Sequence, residues 1–324
     1  MILGKKIIYG AIFCISLSGC GGSDGGGEEE TAGTSGLTYT GLTTQANLTA
    51  GNGKEISSSS YNNGDSGQGM DAVFTGVSQI NAELGKPRAS TLAKILVTAV
   101  DKIEPSTSSR DLSFVGAVVT ESDSFDGSCG GKASYTMTID DVTGDFSGSM
   151  TFDSYCESGS VMNGSITLSG SFNANSSHMT MTMTSVSVTS GSDIAWMDGT
   201  LSFDPSATTS VVTMNMKVKA AGSDDVFWME NFVLTSTVVV GGYELSMSGR
   251  FYHPHHGYVD ITTPTAFRYT GANLYPYPGE MVTAGSNGSV VTLTSLSASV
   301  YQIDIDTNGD GNIELRETGL WAEL

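Results

Sequence analysis

The residue types with the sharpest chemistry lie near the C-terminus, in Asp306-Thr307-Asn308-Gly309-Asp310-Gly311-Asn312-Ile313-Glu314-Leu315-Arg316-Glu317. Asp306, Asn308 and Asp310 alternate around a turn, Asn312 offers a backbone carbonyl, and Glu317 closes the run with another carboxylate. Ca2+ is a hard cation that takes about six to eight oxygen ligands, and donors at this spacing suit it. Those residues are the expected metal ligands. Without an ion, Asp306, Asp310 and Glu317 would repel one another in a tight turn. A polar hairpin turn that binds no metal is the plainer alternative.

Other groupings carry weaker chemistry. Cys129 and Cys156 form an even pair, and in an oxidising compartment a disulfide is expected. A zinc site there would need more ligands, and the flanking residues offer only Glu157. His253-Pro254-His255-His256 gathers three of the four histidines. Imidazoles bind Zn or Cu, but carboxylates are sparse nearby in sequence and Pro254 breaks strand geometry, so a solvated loop is expected. Tyr252, Tyr258, Tyr269, Tyr275 and Tyr277 could stack on sugars, making residues 251–277 a candidate carbohydrate- or ligand-binding surface. Ordinary core and hairpin packing explains most of them. No Gly-x-Ser-x-Gly elbow, phosphate-cradling glycine loop or His-Glu-x-x-His pair occurs. No catalytic residue is assigned, and enzymatic activity is not expected.

The segment 306–317 resembles the EF-hand calcium loop at each diagnostic position. The resemblance places Gly311 at the sharp turn, Ile313 as the apolar residue packing the loop inward, and Glu317 as the closing bidentate ligand. The flanks depart from that family. Tyr301, Ile303 and Ile305 alternate with Gln302 and Asp304 as a strand does, and only seven residues follow Glu317. The site is therefore similar to the single calcium loops of dockerin-like and other extracellular proteins. If the chain runs on as a strand, Glu314 or water replaces Glu317.

The N-terminus supplies an address. Lys5 and Lys6 precede a short apolar run, Ile7 to Leu17, far below the roughly 20 residues of a membrane span. Leu17-Ser18-Gly19-Cys20 resembles the bacterial lipobox, whose cysteine is acylated and becomes the mature N-terminus; an ordinary secretory signal with an incidental Cys20 is the alternative. In similar lipoproteins an Asp after the cysteine retains the protein at the inner membrane, and Gly21 here implies the outer membrane. Whether the chain faces the periplasm or the cell surface is open. With Lys+Arg 14 against Asp+Glu 34, net charge -20 and pI near 4.3, nucleic acid is excluded as a partner. The membrane is reached through the lipid; a protein or glycan partner is left unassigned.

The elements that must position these groups follow from periodicity. Residues 1–19 read as signal peptide and 20–36 as a lipidated, flexible, Gly-rich tether. The segment 37–110 carries an expected helical hairpin, from Val73, Val77, Ile80 and Leu84 and from Leu92, Leu96, Val100 and Ile103, joined across Gly85-Lys86-Pro87. From about Asp111 to residue 324 the period is two, as in Val212, Met214, Met216 and Val218, which marks half-buried strands. Met179, Met181 and Met183 change phase to Val186 and Val188, so a β-bulge is expected near Thr184 and Ser185. Gly241-Gly242 reads as a two-residue hairpin turn. The methionines read as core filler, not a copper array. A motif recurs at Met162-Asn163-Gly164, Met197-Asp198-Gly199 and Met247-Ser248-Gly249, at irregular spacing. The expected fold is mainly β: a long antiparallel meander of hairpins, as a curled sheet or partly closed barrel. The whole pattern resembles uncharacterised lipoproteins of Gram-negative bacteria, which implies an anchored envelope protein and brings no activity with it.

Overall fold

The two-residue alternation becomes strand after strand along the chain. The computed structural model describes residues 36–63 and 118–324, apart from 141, 173–176, 192, 207, 221–222, 271–272 and 274. The expected signal peptide, nearly all of the tether including Cys20, and the expected helical hairpin lie outside the described residues. The strands are β1 (Val118–Asp126), β2 (Lys132–Asp140), β3 (Asp145–Glu157), β4 (Ser160–Phe172), β5 (Ser177–Ser190), β6 (Asp193–Pro205), β7 (Thr209–Ala220) and β8 (Val226–Val239). They continue as β9 (Gly242–His253), β10 (Gly257–Thr265), β11 (Phe267–Thr270), β12 (Glu280–Ala284), β13 (Val290–Ser295), β14 (Val300–Asp306) and β15 (Leu315–Leu320).

All belong to one 15-stranded antiparallel sheet, and nearly every strand pairs with its neighbour in sequence. The exception is β9, which holds β10 along one part of its edge and β11 along another, while β10 goes on to pair with β12. Strands β1 and β15 do not pair, so the meander stays open. Alternation sets the buried face: Val291 and Leu293 of β13 and Tyr301, Ile303 and Ile305 of β14 are buried, with Val290, Thr292, Gln302 and Asp304 between them more exposed. Met150, Met179, Met181, Met183, Met214, Met216 and Met247 join the same buried cluster, as core filler. Each such side chain contributes about 1.5–3 kcal/mol.

The recurring Met-x-Gly motif lies beside β-bulges. The bulge expected at Thr184 and Ser185 is present between Met183 and Val186, and Ser185 takes φ 51. Similar bulges interrupt β3 at Ser154 and β8 at Asn231. A bulge leaves a backbone N–H without its ladder partner, and an Asx side chain on a neighbouring strand accepts it. The Ser154 N–H donates to Asn163 Oδ1 at 2.7 Å, Ser185 N–H to Asp198 Oδ1 at 2.5 Å, and Asn231 N–H to Asn215 Oδ1 at 2.8 Å. Glycine is needed where the bulge carbonyl leans over: a Cβ on Gly164 would lie 2.6 Å from Ser185 O, and one on Gly249 2.5 Å from Asn231 O. The β8–β9 turn falls one residue earlier than expected, on Val240-Gly241, with Gly242 already paired to Val239. Gly242 is held in the strand because β11 passes so close that a Cβ would sit 1.8 Å from Tyr269 O.

Residues 36–63 form a strap across the C-terminal half of the sheet. Leu37 N–H donates to Asp198, Leu42 N–H to Pro254 O at 3.1 Å, and Ala46 N–H to Tyr258 O at 2.8 Å. The strap then becomes a helix, α1 (53–63), the only helix of more than one turn among the described residues. Ile56 is fully buried, and Tyr61 packs on Phe267 and Trp321 and shares a hydroxyl hydrogen bond with Tyr269 at 2.8 Å. The buried Ser57 and Ser60 keep the helix slim where it meets the sheet.

Candidate metal-binding sites

The C-terminal loop joins β14 to β15, so a strand enters it and a strand leaves it. Asp304 and Arg316 face each other across this hairpin and form a two-point ion pair, at 2.6 and 2.8 Å. That pair holds the loop's base. Within the loop, Asp306 accepts backbone N–H groups from Asn308 (3.2 Å), Gly309 (2.7 Å) and Gly311 (2.8 Å). Asn308 Oδ1 accepts from Asp310 N–H at 2.9 Å, and Asp310 Oδ1 from Asn312 N–H at 2.8 Å. The chain thus winds so that alternate side chains turn inward. Gly309 and Gly311 take φ 75 and φ 85. Gly309 also lies against the 286–288 turn, where a Cβ would meet Gly288 O at 2.5 Å.

Electrostatics follow from those bonds. Burial tends to raise the Asp306 pKa, but the backbone N–H groups outweigh it and hold the carboxyl below its ordinary value. Asp310 is held low chiefly by the Asn312 N–H. Both are anionic at neutral pH, as a cation site requires. Carboxylate oxygens of Asp306, Asp310 and Glu314 lie within 4.8 Å of one another. Glu317, the closing ligand by resemblance, sits on β15 opposite Ile303, and its carboxylate takes Lys54 Nζ of α1 at 3.1 Å. Glu314 occupies its place beside the loop, its Oε2 accepting Thr307 N–H at 2.7 Å. Asn312 is exposed, and Ile313, expected to pack inward, is 43% exposed. The difference comes from the strand after the loop, which carries residues 315–320 away at about 3.3 Å each, where a helix would fold residue 317 back.

The histidine run departs from the expected solvated loop. His253 ends β9 and is 2% exposed, its ring edge-on to Phe227 at 5.2 Å. Its missing carboxylate comes from α1: Glu55 lies 3.3 Å from His253 Nε2 and 3.4 Å from His256 Nε2. His255 points elsewhere, pairing with Asp225 at 2.8 Å. Burial first, then the neighbouring His256, pushes the His253 pKa down to about 4. No spacing signal in the sequence joins residue 55 to residues 253–256.

The disulfide is present. Cys129, in the β1–β2 turn, bridges to Cys156 on β3 with Cα atoms 5.0 Å apart, and Cys129 N–H donates to Cys156 O at 3.2 Å. Of the tyrosines of 251–277, Tyr269 belongs to the buried core, while Tyr252 and Tyr258 lie on the face opposite Phe251 and Val259. Tyr252 stacks on Trp228 at 4.2 Å beneath Tyr39 of the strap, Tyr269 on Tyr243 at 4.8 Å, and Tyr275 on Trp321 at 6.2 Å. Tyr258 lies under the Arg250 guanidinium, and Tyr277 is exposed. Searches against family models, curated proteins and solved structures find no match to this chain.

Proposed function

We propose that this chain is a non-enzymatic, calcium-binding lipoprotein of the bacterial outer membrane, with a structural or surface-interaction role. The observation that carries the reading is the 306–314 loop, which gathers Asp306, Asp310 and Glu314 carboxylate oxygens within 4.8 Å on a hairpin clamped by Asp304 and Arg316. Hard oxygen donors on a glycine-bearing turn suit Ca2+, and the wide spacing suits it better than Mg2+, which demands a tight octahedron. The proposed donor set is Asp306, Asp310 and Glu314, with the Asn308 side chain beside Asp310 and the Asn312 carbonyl as a further candidate. The burial of Tyr252 beneath the strap and of Tyr269 in the core supports a structural role over a sugar-stacking platform. The lipid anchor rests on Leu17-Ser18-Gly19-Cys20 alone.

Calorimetry of the purified chain with CaCl2 tests the loop. Extracellular calcium modules bind with Kd of about 10⁻⁴–10⁻³ M, and this single loop is expected in that range. At an ion concentration about a hundredfold above Kd, linkage adds about 2.7 kcal/mol of stability. Asp306→Ala with Asp310→Ala is expected to abolish both heat and thermal shift while far-UV circular dichroism stays that of a β protein. Absence of any calcium heat at millimolar ion in the native chain would reduce the loop to a turn. Cell fractionation tests the anchor: Cys20→Ser is expected to move the chain out of the membrane fraction, and full retention there would remove the lipoprotein reading.

A further inference from the structure

We propose that Glu55, His253 and His256 form a second metal site, for one Zn2+ ion, which pins helix α1 to the turn between β9 and β10. Two imidazoles and one carboxylate are a donor set for a borderline divalent ion, with a fourth position left for water. Imidazole nitrogen is a poor ligand for Ca2+, so this site and the C-terminal loop select different ions.

The distances leave room for an ion between these groups. Charge-assisted N–H···O bonds are about 2.7–2.9 Å long, and His255 with Asp225, at 2.8 Å, is one. Glu55 stands farther from its two histidines, at 3.3 and 3.4 Å. Bonds of about 2.0–2.1 Å to a tetrahedral zinc put neighbouring ligand atoms roughly 3.4 Å apart. Glu55 Oε1 with His253 Nε2 and Glu55 Oε2 with His256 Nε2 each match the length of one such edge, and one ligand atom from each of the three residues lies within 4.8 Å of the others. The His253 and His256 rings lie 4.6 Å apart at their centroids, with Phe227 fixing the His253 ring from the side.

Protons balance as follows. His253 Nδ1 accepts the His255 N–H at 3.3 Å, so the neutral ring carries its own proton on Nε2. Metal binding at Nε2 therefore uses the other tautomer: the ring proton moves to Nδ1, which frees the Nε2 lone pair for the ion and breaks the long N–H···N contact.

Titration of the purified full chain with ZnCl2, in excess CaCl2 to occupy the C-terminal loop, is the test. One saturable equivalent is expected, and Co2+ in its place is expected to give the visible bands of four-coordinate cobalt. Glu55→Gln and His256→Ala, each at a partly exposed side chain, are expected to weaken zinc binding by about tenfold or more, with circular dichroism unchanged. Asp306→Ala with Asp310→Ala is expected to retain the zinc equivalent, which separates this site from the calcium reading. Absence of saturable zinc binding, or unchanged binding in folded Glu55→Gln and His256→Ala proteins, overturns the proposal.

Discussion

At the scale of single residues, the two glutamates after Asn312 divide a role that the sequence pattern assigns to one. The twelfth position of an EF-hand loop returns to the ion because a helix begins there and coils the chain back. Here β15 begins at Leu315, and its pleat points Glu317 toward the face that carries α1, where Lys54 meets it. The Glu317 hydrogen bond is the main reason the Lys54 pKa is raised. Glu314 precedes the strand and remains at the loop. Glu314→Ala is therefore expected to weaken calcium binding roughly tenfold, about 1.4 kcal/mol. Glu317→Ala is expected to leave Kd unchanged and to cost little stability, since the Lys54 pair is half exposed. Calorimetry on the two variants decides it, and the reverse pattern would return the closing role to Glu317.

At the scale of elements, the strands were legible in the sequence because burial on one face writes a period of two, and the bulge in β5 because a phase slip breaks that period. The disulfide was legible from an even cysteine pair. The recurring Met-x-Gly motif was visible, but its cause was not: it depends on which residue of the next strand bulges, and register is not written in any single strand. Asp198 caps Ser185, an element away, and Gly199 gives room to Asn215 O on the other side, 2.1 Å from where a Cβ would stand. Helix α1 was illegible for a different reason. Its Ser57-Ser58-Ser59-Ser60 run is poor in helix formers, and Ile56 and Tyr61 alone do not make an apolar stripe. Packing on the sheet overrides that propensity. With α1 unseen, Glu55 could not be placed beside the histidines, and the metal-ligating character of His253 and His256 went with it.

At the scale of the whole molecule, an open sheet raises the question of how many cooperative units it makes. A meander pairs only neighbours, and an array of nearest-neighbour contacts can unfold piecemeal. The strap opposes that. It touches β6 through Asp198, β9 through His253, β10 through Tyr258, and β11 and the C-terminal turn through Tyr61. One buried cluster runs from Tyr135 of β2 to Trp321, and Leu48, Ile56 and Tyr61 belong to it. Removing packing from the strap is therefore expected to lower the stability of the entire sheet. Ile56 is fully buried, and Ile56→Ala is expected to cost about 2–5 kcal/mol through lost transfer energy and the cavity left behind. Two tryptophans lie against different ends of the strap, Trp321 beside Tyr61 of α1 and Trp228 beside Tyr39 and stacked on Tyr252. In urea, single-tryptophan versions of the Ile56→Ala protein are expected to unfold at the same, lowered midpoint. If Trp321 reports an early transition while Trp228 keeps the original midpoint, the strap stabilises its own neighbourhood only, and the sheet is a chain of separable units.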